Sequence, residues 1–180
     1  MVYVHFADGF EEIEAVAIVD VLRRGGIETV MVSITGNKVV TGSHDIPLVA
    51  DMLFEEADYS KCEMIVLPGG MPGTTNLLAH AGLASEIVSF AENKKYLAAI
   101  CAAPQIFGKL GILKRKKATC YPGLEEKLEG AVALGDKVVI DGNIITSRGV
   151  GTAVEFGLAL VGILKGKELA VELGKKMVVG

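Results

Sequence analysis

Apolar positions along this chain switch between the two-residue period of strands and the helical period of three to four. "VYVHFA" (2–7) is short, apolar and β-branched, as a buried strand requires. It leads into "EEIEAVAIVDVLRRGG" (11–26), whose apolar residues recur at helical spacing. Asp8, three residues before Glu11, predicts a capping box for that helix, and Gly25 and Gly26 predict its end. "IETVMVSI" (27–34) returns as a strand, and "KVVTGSHDIPLVADML" (38–53) reads as an extended excursion, a hairpin by its Gly42 and Pro47. The unit then repeats. "EMIVLPGG" (63–70) is a strand running into a glycine-rich loop, followed by the helix "LASEIVSFAENKK" (83–95). "YLAAI" (96–100) is a strand and "APQIFGKLGIL" (103–113) a helix. Short strands around "ATCYP", "VALG" and "KVVIDGNIITS" precede two closing helices, "TAVEFGLALVGILKG" and "KELAVELGKK".

Buried strands interleaved with amphipathic helices predict an α/β fold, a mostly parallel sheet with helices on both faces. No repeat, low-complexity tract or linker divides the chain, so residues 1–180 read as one domain. In such folds the loops at the carboxyl ends of the strands build the site. Cys101, Gly69–Gly70 and the segment 9–14 all follow predicted strands, and so converge on one edge.

Composition narrows the function classes. A chain of 180 residues that is 51% hydrophobic has ample material for a core. A net charge of −4 argues against a nucleic-acid or anionic membrane surface as partner. No apolar run reaches the length of a membrane span, and "MVYVHFADGF" has neither the basic region nor the apolar stretch of a signal peptide. Three scattered cysteines, Cys62, Cys101 and Cys120, show no metal-site spacing and fit a reducing compartment, the cytoplasm.

The candidate chemistry centres on Cys101. A thiol at a strand-to-helix turn lies near unpaired backbone N–H groups, which favour the thiolate, and Pro104 suits the first helical turn. The arrangement is similar to the nucleophile elbow of hydrolases without its flanking glycines. The competing reading is a core residue among small apolar neighbours. Glu14 weighs toward function: Glu12, Asp20 and Arg23 define a polar helix face, whereas Glu14 shares its side with Ala17, Ile18 and Val21. A carboxylate turned inward must be protonated, paired or functional. Glu11 and Glu12 read instead as wet first-turn glutamates that favour the helix dipole.

Other motifs count against alternatives. "LPGGMPGTTN" lacks the Gly-Lys-Ser/Thr ending of a phosphate loop and is an oxyanion-binding loop only if it lies beside Cys101. "SRGVGTAVEF" has Val154 in place of the third glycine of a dinucleotide fingerprint; it reads as a closely packed turn with Arg148 pairing a carboxylate. His5, His44 and His80 show no ligand spacing and read as structural or surface residues, with His44 a candidate at the site edge. The "KRKK" run at 114–117 suits a helix end and solvent.

Taken together, "DGFEEIEAV" (8–16), "DVLRRGGI" (20–27), "VLPGGMPG" (66–73), "AAICAAP" (98–104) and "TSRGVGTAVEFGLALV" (146–161) resemble the ThiJ/PfpI superfamily. The resemblance is strongest to its branch containing the parkinsonism-associated protein deglycase and bacterial ThiJ/YajL-like proteins, and it runs over essentially the whole chain. It implies a flavodoxin-like three-layer sandwich, usually homodimeric. It implies that Cys101 is the reactive cysteine and Glu14 its protonated partner, with backbone amides of Gly70 and Ala102 stabilising an anion. Arg24 and Arg148 match arginines near the dimer interface and site. The implied activity is cofactor- and metal-independent glyoxalase or deglycase chemistry on reactive dicarbonyls such as methylglyoxal, or on their thiol and amine adducts. The alternative is a redox-sensing cysteine protein or redox-regulated chaperone; a thiazole monophosphate biosynthesis role and peptidase activity rank below both. Three positions depart from the family pattern. Ala102 replaces the histidine of the protease-like branch, Tyr121 stands where near relatives carry histidine, and His44 stands where they carry arginine.

Overall fold

The computed structural model describes residues 1–179. Along the chain, β1 (Val2–Phe6) leads to α1 (Glu12–Arg24), and β2 (Thr29–Ser33) follows. The excursion is a small antiparallel hairpin of β3 (Val39–Thr41) and β4 (Pro47–Val49), after which β5 (Met52–Leu53) returns to the main sheet. Then come β6 (Met64–Leu67), α2 (Gly73–Ala79), α3 (Ala81–Glu92), β7 (Tyr96–Ile100) and α4 (Pro104–Lys109). The two-residue strands β8 (Lys117–Ala118) and β9 (Val132–Ala133) pair with each other. A hairpin of β10 (Val138–Asp141) and β11 (Ile144–Ser147), α5 (Ala153–Lys165) and α6 (Lys167–Lys176) complete the described chain.

The main sheet runs β10-β11-β7-β6-β1-β2-β5, parallel at every pairing except the β10–β11 hairpin. The central strands read as unbroken apolar runs because both faces are covered. Val2, Val4 and Phe6 of β1 face one core with α1 and α5, while Tyr3 faces the other with α3 and α4. Met64 and Val66 of β6 divide from Ile65 and Leu67 in the same way, as do Ala98 and Ile100 of β7 from Leu97 and Ala99. This is the flavodoxin-like three-layer sandwich the sequence predicts.

Two glycines set how closely α1 packs on α5. A Cβ on Gly157 would lie 2.9 Å from Val21 Cβ, and one on Gly25 would lie 2.8 Å from Val161 Cγ2. The close crossing fixes α1 and so the height at which its first turn meets the strand ends.

Local expectations needed revision in two places. The expected Asp8 capping box does not form: the N-cap is Glu11, whose carboxylate accepts from the Glu14 N–H at 2.7 Å. Asp8 is drawn off by the hairpin, accepting from Thr41 N–H at 2.9 Å. The glycine-rich loop is also shorter than its composition predicts, because α2 begins at Gly73. Among the described residues no helix is long and apolar enough to cross a membrane.

Candidate active site

The carboxyl ends of β1, β6 and β7 bring together three segments distant in sequence. Cys101 leaves β7 with φ +63°, the left-handed region that costs a side-chain-bearing residue strain. Two backbone bonds hold it there. Its N–H donates to Ser147 O at 3.0 Å at the end of β11, and its carbonyl accepts from Tyr121 N–H at 2.8 Å. The elbow conformation is therefore imposed by neighbours on both sides.

Glu14 lies in the first turn of α1 and is fully buried. Gly69 binds this turn twice, accepting from Glu11 N–H at 2.9 Å and donating to Glu14 Oε2 at 2.9 Å. A Cβ on Gly69 would fall 2.6 Å from Cys101 Cβ and 2.8 Å from Glu14 Oε2, so only glycine lets thiol and carboxyl approach. Gly70, at φ +91°, has no more room: a Cβ there would sit 2.3 Å from Glu11 N. Glu14 Oε1 has no hydrogen-bond partner among the described residues. It and Cys101 Sγ lie 3.8 and 3.9 Å from the point a Cβ on Gly149 would occupy, with Tyr121 Cδ2 at 3.4 Å from that point. Gly149 thus lies directly against the pair.

The electrostatics follow from this enclosure. Burial raises the Glu14 carboxyl to about 7, against the pull of the Cys101 thiol and the Gly69 amide, so its proton is exchangeable near neutrality. Burial and the Glu14 charge together push the Cys101 thiol up to about 12, while the backbone N–H groups of Ala102 and Gly70 pull it down. The expectation of a sulfur held anionic at rest is therefore corrected. Burial favours the neutral form of both groups.

The other expected residues divide. Tyr121 is exposed beside Gly149, and its backbone holds the elbow. Arg148 precedes Gly149 but pairs with no carboxylate among the described residues; its guanidinium donates to Gly135 O at 2.8 Å. Arg24 is not at the site edge: it stands near the other end of α1, about 15 Å from Glu14 by helical rise, where it pairs with Asp20. Glu11 and Glu12 are buried rather than wet, because the β3–β4 hairpin covers them. A Cβ on Gly42 of that hairpin would collide with the Glu12 carboxylate. His44 closes over Glu12 with its N–H at 2.6 Å and Nδ1 at 2.9 Å. Against the upward pull of burial, these bonds hold Glu12 down to about 2, and the Glu12 hydrogen bond raises the His44 imidazole. Glu11, Glu12 and His44 could present ligand atoms to a metal, but His44 already occupies both Glu12 oxygens. Gly149 was legible only as a packing glycine, since nothing in "SRGVG" indicates what it packs against.

The model of the DJ-1/PfpI family matches residues 1–163. The chain belongs to the DJ-1/PfpI family. It is 41% identical over 179 residues to Protein DJ-1 homolog B of Arabidopsis thaliana, covering 99% of this chain and 41% of that protein. The chain thus spans less than half the length of this plant relative. The crystal structure of Drosophila melanogaster DJ-1beta superposes with a TM-score of 0.94 at 35% identity, covering 99% of this chain and 97% of that one. Glutathione-independent glyoxalase DJR-1.2 of Caenorhabditis elegans is 31% identical over 169 residues, covering 93% of this chain and 89% of that protein. One member of the family is thus named for a glyoxalase activity that is independent of glutathione.

Proposed function

We propose that this DJ-1/PfpI protein, as a single domain over 1–180, converts reactive 2-oxoaldehydes such as methylglyoxal to 2-hydroxy acids without metal or cofactor. The observation that carries the reading is the buried Glu14 carboxyl against the Cys101 thiol, with Oε1 unpartnered among the described residues and turned to the Gly149 position. Glu14 takes the thiol proton as sulfur adds to the aldehyde carbon, and returns it to the forming alkoxide. The Gly70 and Ala102 amides steady the developing negative charge. Glu14 then removes the proton from the former aldehyde carbon to give an enediol, and protonation of the neighbouring carbon yields a thioester. Water hydrolyses it, releasing the hydroxy acid and the thiol. One carbon is oxidised and its neighbour reduced, so no external redox partner is needed. The glyoxalase named among the relatives supports this chemistry.

Purified protein incubated with methylglyoxal, without glutathione or added metal, is expected to form lactate. Cys101→Ala and Glu14→Ala are expected to abolish it; unchanged turnover in either variant rejects the mechanism. A second reading, a redox-sensing role, is favoured by one observation: of the three cysteines only Cys101 is not buried. Mild peroxide should then oxidise Cys101 selectively toward sulfinate, and equal oxidation of Cys62 and Cys120 by mass spectrometry eliminates that role. For assembly we propose a cytoplasmic homodimer through the face where exposed Ile13 and Val16 of α1 adjoin exposed Val39, Ile46 and Val49 of the hairpin.

A further inference from the structure

Between α5, α6 and the edge strand β10 lies a groove of about 890 Å³, and no residue of the candidate active site lines it. Its lining includes Val138 and Ile140 of β10, Leu158 and Ile163 of α5 and Val171 of α6. Ile140 is 53% exposed and Val171 58%, so this apolar surface stands in water instead of closing into the core. Covering such surface with an apolar group is favourable. Both the volume and the mostly apolar lining with a few polar groups are those of small-molecule sites. Gly162 of α5 also lines the groove, and a Cβ there would meet Ala170 Cβ at 3.5 Å, an ordinary contact. Packing therefore does not demand glycine at this mid-helix place, where glycine costs stability, and its bareness widens the groove.

The charged residues of the lining select the sign of an occupant. They are Glu155, Lys167 and Lys175. Glu155 is already paired with Lys137 at 2.7 Å. Lys167 and Lys175 pair with no carboxylate among the described residues; of the carboxylates of α6, neither Glu168 nor Glu172 lines the groove, and Glu172 is held by Lys176 at 2.7 Å. Eight positions apart, the two lysines are separated by about 12 Å along α6. A chain lying along the helix would thus find a cation near either end. A second copy docked face to face here would bring the lysines of both copies into one apolar seam, a desolvation cost with no return.

From this we infer that the groove between α5, α6 and β10 binds a medium-chain alkyl carboxylate, its chain against Ile140, Leu158 and Val171 and its head on Lys167 or Lys175. The site is separate from the chemistry at Cys101 and does not depend on it.

Calorimetric titration of the full chain with octanoate, decanoate and laurate, each below its micelle concentration, tests this. One-to-one binding is expected, tightening about two- to fourfold per added methylene. Dodecyltrimethylammonium, with the same chain and the opposite charge, should bind at least about tenfold more weakly than laurate. K167E/K175E should reverse that order, and I140S/V171S should weaken laurate about tenfold. All four positions are exposed, so melting temperatures close to that of the wild type are expected to show that the variants fold. No saturable laurate binding below about 1 mM, a cation bound as tightly as the carboxylate, or an affinity that neither double variant changes overturns the proposal. Binding to phosphatidylglycerol vesicles without binding of monomeric laurate assigns the groove to a membrane surface and overturns it too. So does self-association that I140S/V171S abolishes, which assigns the groove to a second copy.

Discussion

The two faces of the sheet each bury a titratable side chain, with opposite consequences. On one face Glu14 is raised by burial to about 7; on the other His5 of β1 is fully buried and lowered by burial to about 3. Both shifts favour the neutral form, as desolvation requires. The surroundings differ. His5 Nε2 meets Tyr59 OH at 2.6 Å, and the rings of Tyr3, Phe54 and Phe90 close around Tyr59. Glu14 keeps an oxygen without a partner among the described residues, on the side of Gly149 and the Cys101 thiol. A perturbed pKa in a protein interior thus points to a candidate site where the group also has an unsatisfied atom and a thiol beside it. His5 has an Nδ1 without a partner among the described residues but no thiol beside it.

The sharpest way to test the contrast is acid unfolding. The unfolded chain takes up the His5 proton near pH 6.5 and the native state refuses it down to about 3, so stability falls as pH drops through that window. At about 1.4 kcal/mol per unit, the loss reaches roughly 4–5 kcal/mol. His5→Phe should be less stable at pH 7, where Tyr59 loses its partner, yet flatter toward acid; urea midpoints against pH measure this, and an equally steep acid limb rejects the assignment.

Glu14 acts with the opposite sign. The native state keeps its proton up to about 7 while the unfolded chain releases it near 4.5, so stability is full below 4.5 and declines as pH rises to 7. The expected loss is about 3 kcal/mol. Glu14→Gln should remove that decline while lowering kcat/KM by about 10²–10⁴; a variant that keeps the wild-type alkaline decline contradicts the buried-acid account.

The smallest effect separates the faces mechanically. Gly157→Ala presses on Val21 at the α1–α5 crossing and should cost about 1–3 kcal/mol. It should also lower turnover through Glu14 while leaving the His5 acid limb unchanged. Calorimetry at pH 4 and pH 7 separates the two contributions, and a variant with full activity and stability shows that the crossing is slack.

Much of this contrast was readable before folding was considered. Glu14 stood out because its helical neighbours Ala17, Ile18 and Val21 are apolar, and periodicity is a local property. Cys101 stood out by its place at a strand end. What could not be read was anything decided by a distant segment. Glu12 looked solvated until the hairpin, some thirty positions on, covered it. Asp8 looked like a cap until Thr41 took its carboxylate. The state of the sulfur depends on a carboxyl that only the fold brings near, so the thiolate expected from local backbone alone was mistaken. Tyr59, the partner that seals His5, opens a single 3-10 turn too short to carry a periodic signal.

The backbone tethers at the elbow bear on when this thiol becomes distinctive during synthesis. Its amide waits for Ser147 and its carbonyl for Tyr121. A ribosome-bound chain that has released only the first hundred or so residues therefore carries an ordinary cysteine. The elbow forms late, once the distal hairpin has docked, and truncated products that end before it never acquire it.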